Sequence, residues 1–195
     1  MSKFKQVYQF KITLLETKPP IWRRIQVPEN YRFWDLHVAI QDAMGWKDCH
    51  LHEFSIFSPS ELDIVDIGLA EEDYSKAKIF QRISKFFSRE NSIARYWYDF
   101  GDDWYHQVNL EKILPADPNQ TYPCCLAGKR ACPPEDSGGV WGFYEKLKIL
   151  QDPKNECYED ILEWMGRDYD PEYFDPKKVI FDDPKEREVS LTSLY

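Results

Sequence analysis

The sequence predicts an α+β fold, a single domain built on a mainly antiparallel sheet, because strand-like and helix-like periodicities follow one another. Apolar residues alternate in segments 7–15 and 21–27, which is the period of a half-buried strand. Segment 33–44 instead repeats its apolar residues at helical spacing, and Gly45 follows it as a C-cap should. We therefore expect two strands and an amphipathic helix that packs across the sheet. The order ββαβ at the start is similar to that of a β-grasp.

The first two strands form a predicted hairpin, since Lys18, Pro19 and Pro20 interrupt the alternation between them. Arg23 shares the apolar face of the second strand. Because an unpaired charge is rarely buried, its guanidinium must reach the sheet edge or find a carboxylate.

Further elements follow from the same patterns. We predict a strand at 51–57, an acidic loop at 59–73, a short helix at 77–87, a hairpin at 93–113, a long proline-rich loop at 114–140, and C-terminal helices at 141–150 and 158–165. Asp-Pro pairs at 170–171 and 175–176 predict short capped turns. The domain is expected to span residues 1–181, with a charged, frayed tail at 182–195.

Composition excludes several classes of protein. The formal net charge of −9 makes nucleic acid an unlikely partner, since such binding relies on basic patches that neutralise phosphates. Neither an apolar signal segment nor a membrane-length span occurs in the sequence. We therefore expect a cytoplasmic location and no membrane partner. Five cysteines, an odd number, argue for reduced thiols rather than a disulfide framework.

The segment 96–106 concentrates aromatic side chains, carboxylates and a histidine around Gly101. With a two-residue loop, Asp99 would lie opposite or diagonal to His106 on one face, whereas a three-residue loop would separate them. His50 and His52 stand two residues apart, a spacing that on a strand lets two imidazoles grip one metal ion.

A metal site is therefore expected where the long loop meets this hairpin. Its predicted inner ligands are His50, His52, Asp99 and His106, with Glu135 and Asp136 approaching from the loop. No cofactor is required by the sequence, and a divalent metal ion is the one candidate. The same residues also fit purely structural roles as turn formers and hydrogen-bonded strand residues.

Several motifs in fixed order carry a resemblance to a known family. They are Ile21-Trp-Arg-Arg-Ile-Gln-Val-Pro28, Ile40-Gln-Asp-Ala-Met-Gly-Trp46, His50-Leu-His-Glu-Phe54, Tyr98-Asp-Phe-Gly-Asp-Asp-Trp104 and Pro133-Pro-Glu-Asp-Ser-Gly-Gly139. Over about residues 7–182 the chain resembles the Ri-plasmid ORF-three-like proteins. The resemblance implies a single α+β domain and an association with mobile elements, where such proteins are often labelled resolvase-like. Arg32 departs from the Thr or Ser usual in the family, so a capping box is expected to be missing.

Strand transfer does not fit these residues, because a recombinase surrounds its nucleophile with arginines and the arginines here are scattered. Three function classes stay open. The first is a module that binds a protein or peptide, through a surface predicted to contain Trp22, Arg24, Trp97, Trp104 and Tyr105. The alternative is a metal-dependent hydrolase using the His/Asp cluster. The third is a nucleic-acid accessory protein, which an exposed basic stripe of Arg23, Arg24 and Lys47 would favour.

Overall fold

A computed structural model describes residues 4–58, 60–68 and 78–192 of the chain. Its centre is a seven-stranded sheet in the order β4-β3-β5-β6-β1-β2-β7, with every neighbouring pair antiparallel. The strands are β1 (Gln6–Leu14), β2 (Ile21–Pro28), β3 (His52–Ser58), β4 (Asp63–Gly68), β5 (Ile93–Tyr98), β6 (Trp104–Pro115) and β7 (Cys124–Lys129).

Four α-helices accompany this sheet in the described ranges: α1 (Phe33–Met44), α2 (Gly139–Ile149), α3 (Tyr158–Met165) and α4 (Pro184–Thr192). The predicted α+β class with a mainly antiparallel sheet is confirmed. The β-grasp comparison ends at the element order, because β1 lies between β2 and β6 and is antiparallel to both. None of these helices combines the length and apolar character needed to cross a membrane.

The first hairpin and α1 form as their periodicities predict. Phe10 and Ile12 of β1 are fully buried, as is Ile40 of α1, because alternate strand residues and one helix stripe face the same core. Gly45 ends α1 in the left-handed conformation at φ 93°. At the other end, Asp35 accepts the backbone N–H of Arg32 at 2.8 Å, so the reverse half of a capping box is present.

Arg23 is buried with only 1% of its surface exposed, and no carboxylate among the described residues pairs with it. Its Nε donates to the carbonyl of Ala43 at the end of α1, and Nη1 donates to the carbonyls of Trp22 and Lys129. The guanidinium also lies 3.7 Å from the ring centroid of Phe174. Carbonyl dipoles and an aromatic face therefore replace the expected counter-charge.

Two strands escaped prediction from the sequence. β4 occupies part of the segment expected to be an acidic loop, and β7 lies inside the proline-rich loop. Both are edge strands of the sheet. Each has a sheet neighbour on one side only, so fewer of its side chains are buried and its apolar alternation is weak. The helix expected at 77–87 is instead two short 3₁₀ turns, Lys78–Phe80 and Ile83–Lys85, with residue 77 outside the described ranges.

The C-terminal helices and turns agree closely with expectation, apart from the tail. α3 has the predicted bounds, and Asp175 caps the turn Pro176–Lys178 by accepting the N–H of Lys177. The tail expected to fray instead forms α4 against α1. Arg187 of α4 pairs with Asp42 at 2.7 Å, and the indole of Trp34 donates to the carbonyl of Pro184.

Candidate functional site

The loop between β5 and β6 holds five residues, since Tyr98 pairs with Trp104, and it therefore differs from both loop lengths considered. Asp99 begins the loop in the left-handed region at φ 57°. Its Oδ1 accepts the backbone N–H groups of Gly101 and Asp102, which fixes the carboxylate over the turn. Its Oδ2 is left to face outward from the loop toward His50.

His50 lies just before β3 rather than on it, so the predicted pairing with His52 across one strand face is wrong. Its Nε2 is 3.6 Å from Oδ2 of Asp99 and 3.1 Å from Oδ1 of Asp136. This nitrogen is shielded from solvent, and among the described residues it has no hydrogen-bond partner of acceptable geometry. Three of the six predicted metal-site residues thus come together: His50, Asp99 and Asp136.

The segment 133–139 brings Asp136 to this place because it is fastened to the β5–β6 hairpin, as expected for the long loop. Glu135 accepts the hydroxyl of Tyr98 and the backbone N–H of Lys47. Oδ2 of Asp102 accepts the N–H of Gly138 at 2.9 Å. Gly139, at φ 68°, leaves no room for a side chain, since a Cβ there would lie 2.5 Å from the carbonyl oxygen of Asp102.

His52 joins a different group, in the core beneath α1. Its ring stacks on that of His37 with centroids 3.4 Å apart, and no described residue forms a hydrogen bond with its Nε2. His37 is held through both nitrogens, by the hydroxyl of Tyr96 and the carboxylate of Asp48, each at 2.8 Å. Burial and the neighbouring His37 lower the pKa of His52 well below its usual value, so the ring is neutral at pH 7.

His106 is also fully buried and does not join His50. It faces the core from β6 opposite Tyr96, with the Trp46 ring edge-on at 5.3 Å. Burial lowers the pKa of His106 to about 3, and its Nδ1 bonds to the carbonyl of Trp104. The placement of His52 and His106 in the predicted metal cluster is therefore wrong, because both side chains point from the sheet into the core.

A cleft of about 510 Å³ opens beside the His50 cluster. Glu135 and Asp136 form one side, while Trp46, Trp164 and Tyr169 supply an aromatic wall. Cys132 also lines this space, but burial raises its pKa to about 12, which keeps the thiol protonated. The cleft thus combines an apolar wall with carboxylates.

The opposite face of the sheet carries most of the predicted binding surface. Trp22, Arg24, Trp97 and Tyr105 alternate with buried residues and so project away from α1. Trp104 does not belong to this surface, because it is fully buried beside Trp46 in the core. The prediction that Trp104 is exposed is therefore wrong. The exposed basic stripe is absent too, since Arg23 points into the core.

The outer sheet face also contains residues that the sequence analysis missed. Phe57, Ile64 and Ile93 are exposed, with 41%, 67% and 55% of their surfaces accessible, and they surround a hollow of about 510 Å³ beside Arg95. The tilted rings of Phe100 and Trp97 lie 4.2 Å apart, and Tyr105 stacks on Trp97 at 5.2 Å. Ile93 and Trp97, on either side of Arg95 at alternate positions of β5, were the available signal, but without the pairing partners their common face was not apparent.

Comparisons with known proteins agree on the relatives of this chain. Residues 6–178 match the model of the plasmid pRiA4b ORF-3-like proteins. An uncharacterized protein of Sinorhizobium fredii, y4hQ, is 37% identical over 169 residues, which cover 84% of each chain. The crystal structure of a protein of unknown function from Methanosarcina mazei, MM3350, is 51% identical and superposes with a TM-score of 0.86, covering 92% of this chain and 100% of that one.

Proposed function

Because the chain belongs to the plasmid pRiA4b ORF-3-like family, whose relatives named above carry no assigned activity, we propose from its own geometry that it is a peptide-binding module. The surface that binds is the outer sheet face formed by Phe57, Ile64, Ile93, Arg95, Trp97, Phe100 and Tyr105, here called the aromatic face. The single observation that carries the proposal is a row of apolar side chains across four strands, in which Phe57, Ile64, Ile93 and Phe100 are exposed and Trp97 and Tyr105 are half-buried.

The shape of the aromatic face supports a peptide. Trp97 and Tyr105 offer a flat stacked platform, and the neighbouring hollow among Phe57, Ile64 and Ile93 is wide enough for one large apolar side chain. Aromatic platforms contribute large contact areas with little loss of side-chain entropy. An extended peptide can therefore lay one apolar anchor in the hollow.

The charges of the outer face favour an acidic peptide. Three of its carboxylates are engaged already: Glu111 bonds to Arg24, Asp103 accepts the indole N–H of Trp97, and Asp66 accepts the hydroxyl of Ser55. Glu53 lies opposite Trp97, and burial together with the nearby Asp66 raises its pKa. Within the described ranges, Arg95 and Lys11 form no ion pair, and each lies over an aromatic ring. We therefore propose that the aromatic face binds a peptide in which an acidic residue stands next to a large apolar one.

Selection from a displayed random-peptide library, followed by calorimetry with the enriched peptides, tests this proposal. We expect a consensus of acidic and large apolar residues, and at least tenfold weaker binding in both Trp97→Ala and Arg95→Glu. Trp141→Ala is the matched control, since Trp141 is 77% exposed on α2, away from the sheet face. Binding that survives both substitutions, or a basic consensus, would contradict the proposal. Salt-sensitive binding of a single-stranded oligonucleotide by the same face would replace it with the nucleic-acid alternative.

A metal-dependent hydrolase is the second candidate, and the cleft beside His50 is the observation that favours it. The hydroxyl of Tyr98 donates to Glu135 at the cleft margin, and burial together with that carboxylate raises the pKa of Tyr98. A positioned carboxylate is a common general base for a water that a divalent ion polarises. Metal-stimulated hydrolysis of ester or phosphate probes, lost in Glu135→Gln and kept in Glu145→Gln, tests this function. Hydrolysis that is equal in both variants contradicts it.

A further inference from the structure

We infer that His50, Asp99 and Asp136 form a binding site for one divalent transition-metal ion. The observation is a set of three ligand atoms, one imidazole nitrogen and two carboxylate oxygens, that all lie within 4.8 Å of one another. This site is independent of peptide binding by the aromatic face, and the hydrolase candidate rests on it.

The separations match those of ligands that share one ion. Two donors at about 2.0–2.1 Å from a tetrahedral zinc ion lie about 3.3 Å apart. The distances from Nε2 of His50, 3.6 Å to Asp99 and 3.1 Å to Asp136, lie on either side of that value. The carboxylate oxygens of Asp99 and Asp136 lie within 4.8 Å of each other, so all three atoms can face one ion.

The unsatisfied groups point to a cation rather than to hydrogen bonds. Nε2 of His50 is shielded from solvent and has no hydrogen-bond partner in the described ranges, although both carboxylates are near. Only Oδ1 of Asp99 accepts hydrogen bonds from the loop amides. In the part of the chain that the structure describes, Asp99 and Asp136 form no ion pair with a lysine or arginine. A bound cation would relieve the repulsion between the two carboxylates and use the free lone pair of His50.

The donor set and its position decide the kind of ion. One imidazole with two carboxylates suits zinc or manganese better than magnesium, which prefers oxygen ligands and keeps its water. Three protein ligands leave a fourth position open, the arrangement of catalytic rather than structural zinc sites. Asp136 also lines the cleft, so that open position is accessible from it.

The backbone that holds these ligands is already fixed. Asp99 is held by its own turn, and Asp136 follows Glu135, which is fastened to Tyr98 of β5. The hydrogen bond from Gly138 to Asp102 fixes the other end of the segment. Ligands held before the ion arrives lose little conformational entropy on binding, which strengthens the site.

Calorimetric titration of the purified, tag-free, metal-stripped protein with zinc chloride and manganese chloride tests the site. We expect one equivalent of zinc to bind, and at least 100-fold weaker binding in both His50→Ala and Asp136→Asn. Asp103→Asn is the matched control, because this carboxylate belongs to the same loop and bonds to Trp97 instead. Circular dichroism of each variant establishes that the fold is kept.

Two further measurements separate this site from adventitious binding. Cys49→Ser leaves zinc affinity unchanged if the ligands are those named, since Cys49 is an exposed thiol outside the set. Cobalt substitution should give the visible absorption of a four-coordinate ion with nitrogen and oxygen ligands, and no thiolate charge-transfer band. The inference is overturned if neither zinc nor manganese binds saturably, or if binding is unaltered in the His50→Ala, Asp136→Asn double variant. Metal binding without hydrolysis would leave this site standing and remove only the hydrolase candidate.

Discussion

At the residue scale, the direction of a side chain decides its chemistry. His50 and His52 are two positions apart, yet one lies at a solvent-facing margin beside carboxylates and the other is 5% exposed under α1. Their environments differ because β3 begins only at His52, so a common strand face does not exist. Strand alternation likewise places Trp97 of β5 on the aromatic face and Trp104 of β6 in the core.

The first prediction concerns pH and His106. Its pKa is about 3 in the folded protein, whereas an unfolded histidine titrates near about 6.5. Between these values the unfolded chain binds the extra proton, so the stability contribution is complete above pH 6.5 and is lost as pH falls toward 3. We expect about 1.6 kcal/mol of stability to be lost from this residue between pH 6.5 and pH 5, with the slope approaching about 1.4 kcal/mol per pH unit at the lower end.

Urea unfolding at a series of pH values measures this effect. The His106→Asn variant lacks the titrating group. As pH falls, its free energy of unfolding should therefore decrease less steeply than that of the parent protein, by the slope that corresponds to one bound proton per molecule. The buried and neutral His52 should retain its own contribution in both proteins. Equal slopes in the two proteins would show that His106 can be protonated without unfolding.

At the element scale, the approach of the segment 133–139 to the β5–β6 loop depends on two glycines. Gly138 and Gly139 both have positive φ, at 77° and 68°, and lead into α2. A Cβ at Gly139 would run into the β5–β6 loop, whereas a Cβ at Gly138 would meet nothing closer than 3.7 Å. The two positions therefore separate backbone strain from steric contact.

We expect Gly138→Ala to cost about 1 kcal/mol through the left-handed backbone alone. Gly139→Ala should cost about 1–3 kcal/mol more, because its Cβ would displace the segment from the carbonyl of Asp102. Chemical denaturation of the two variants measures the difference. Equal losses would mean that the segment yields without resistance, which would also weaken the argument for a preformed metal site.

The packing of α1 across the sheet gives another prediction at this scale. Ile40 is fully buried, so Ile40→Ala should reduce the free energy of unfolding by about 2–5 kcal/mol. Ile93→Ala is the control, since Ile93 is 55% exposed on the aromatic face and should change stability by less than about 0.5 kcal/mol. A loss for Ile40→Ala below about 0.5 kcal/mol would contradict the packing of this residue in the core.

At the scale of the whole molecule, the C-terminal segment closes the fold against its first helix. Besides the Arg187–Asp42 pair, Glu188 of α4 bonds to Arg32 at 2.6 Å, beside the start of α1. Residues 150 positions apart, Trp34 and Pro184, share a hydrogen bond. α4 is thus part of the folded unit.

A chain that ends at residue 181 tests this role. Removal of residues 182–195 takes away the groups that bond to the carboxylate of Asp42 and to the indole of Trp34. We expect this to reduce the free energy of unfolding by about 2–4 kcal/mol. Thermal and urea unfolding of the shortened chain measure the loss. Arg187→Ala should reproduce part of it, whereas Lys185→Ala, at an exposed position of the same helix, should not. A shortened chain as stable as the parent would restore the expectation of a frayed tail.

The sequence by itself determined the elements whose periodicity is long and clear. The α+β class, the first hairpin, the bounds of α1 and α3 and the central hairpin all follow from local spacing, because covalent geometry fixes which neighbours share a face. The sequence also indicated that the long loop meets the hairpin, because a proline-rich loop of that length must be pinned to another part of a compact domain. The edge strands β4 and β7 carry no such pattern.

Only the tertiary structure decided which side chains meet. The convergence of His50, Asp99 and Asp136 joins residues up to 86 positions apart and depends on a five-residue loop and on two glycines. The burial of His52 beside His37 and the inward turn of Trp104 depend on strand register, which a shift of one residue would reverse. Register is set by the packing of the whole sheet against α1, and no local segment contains that information.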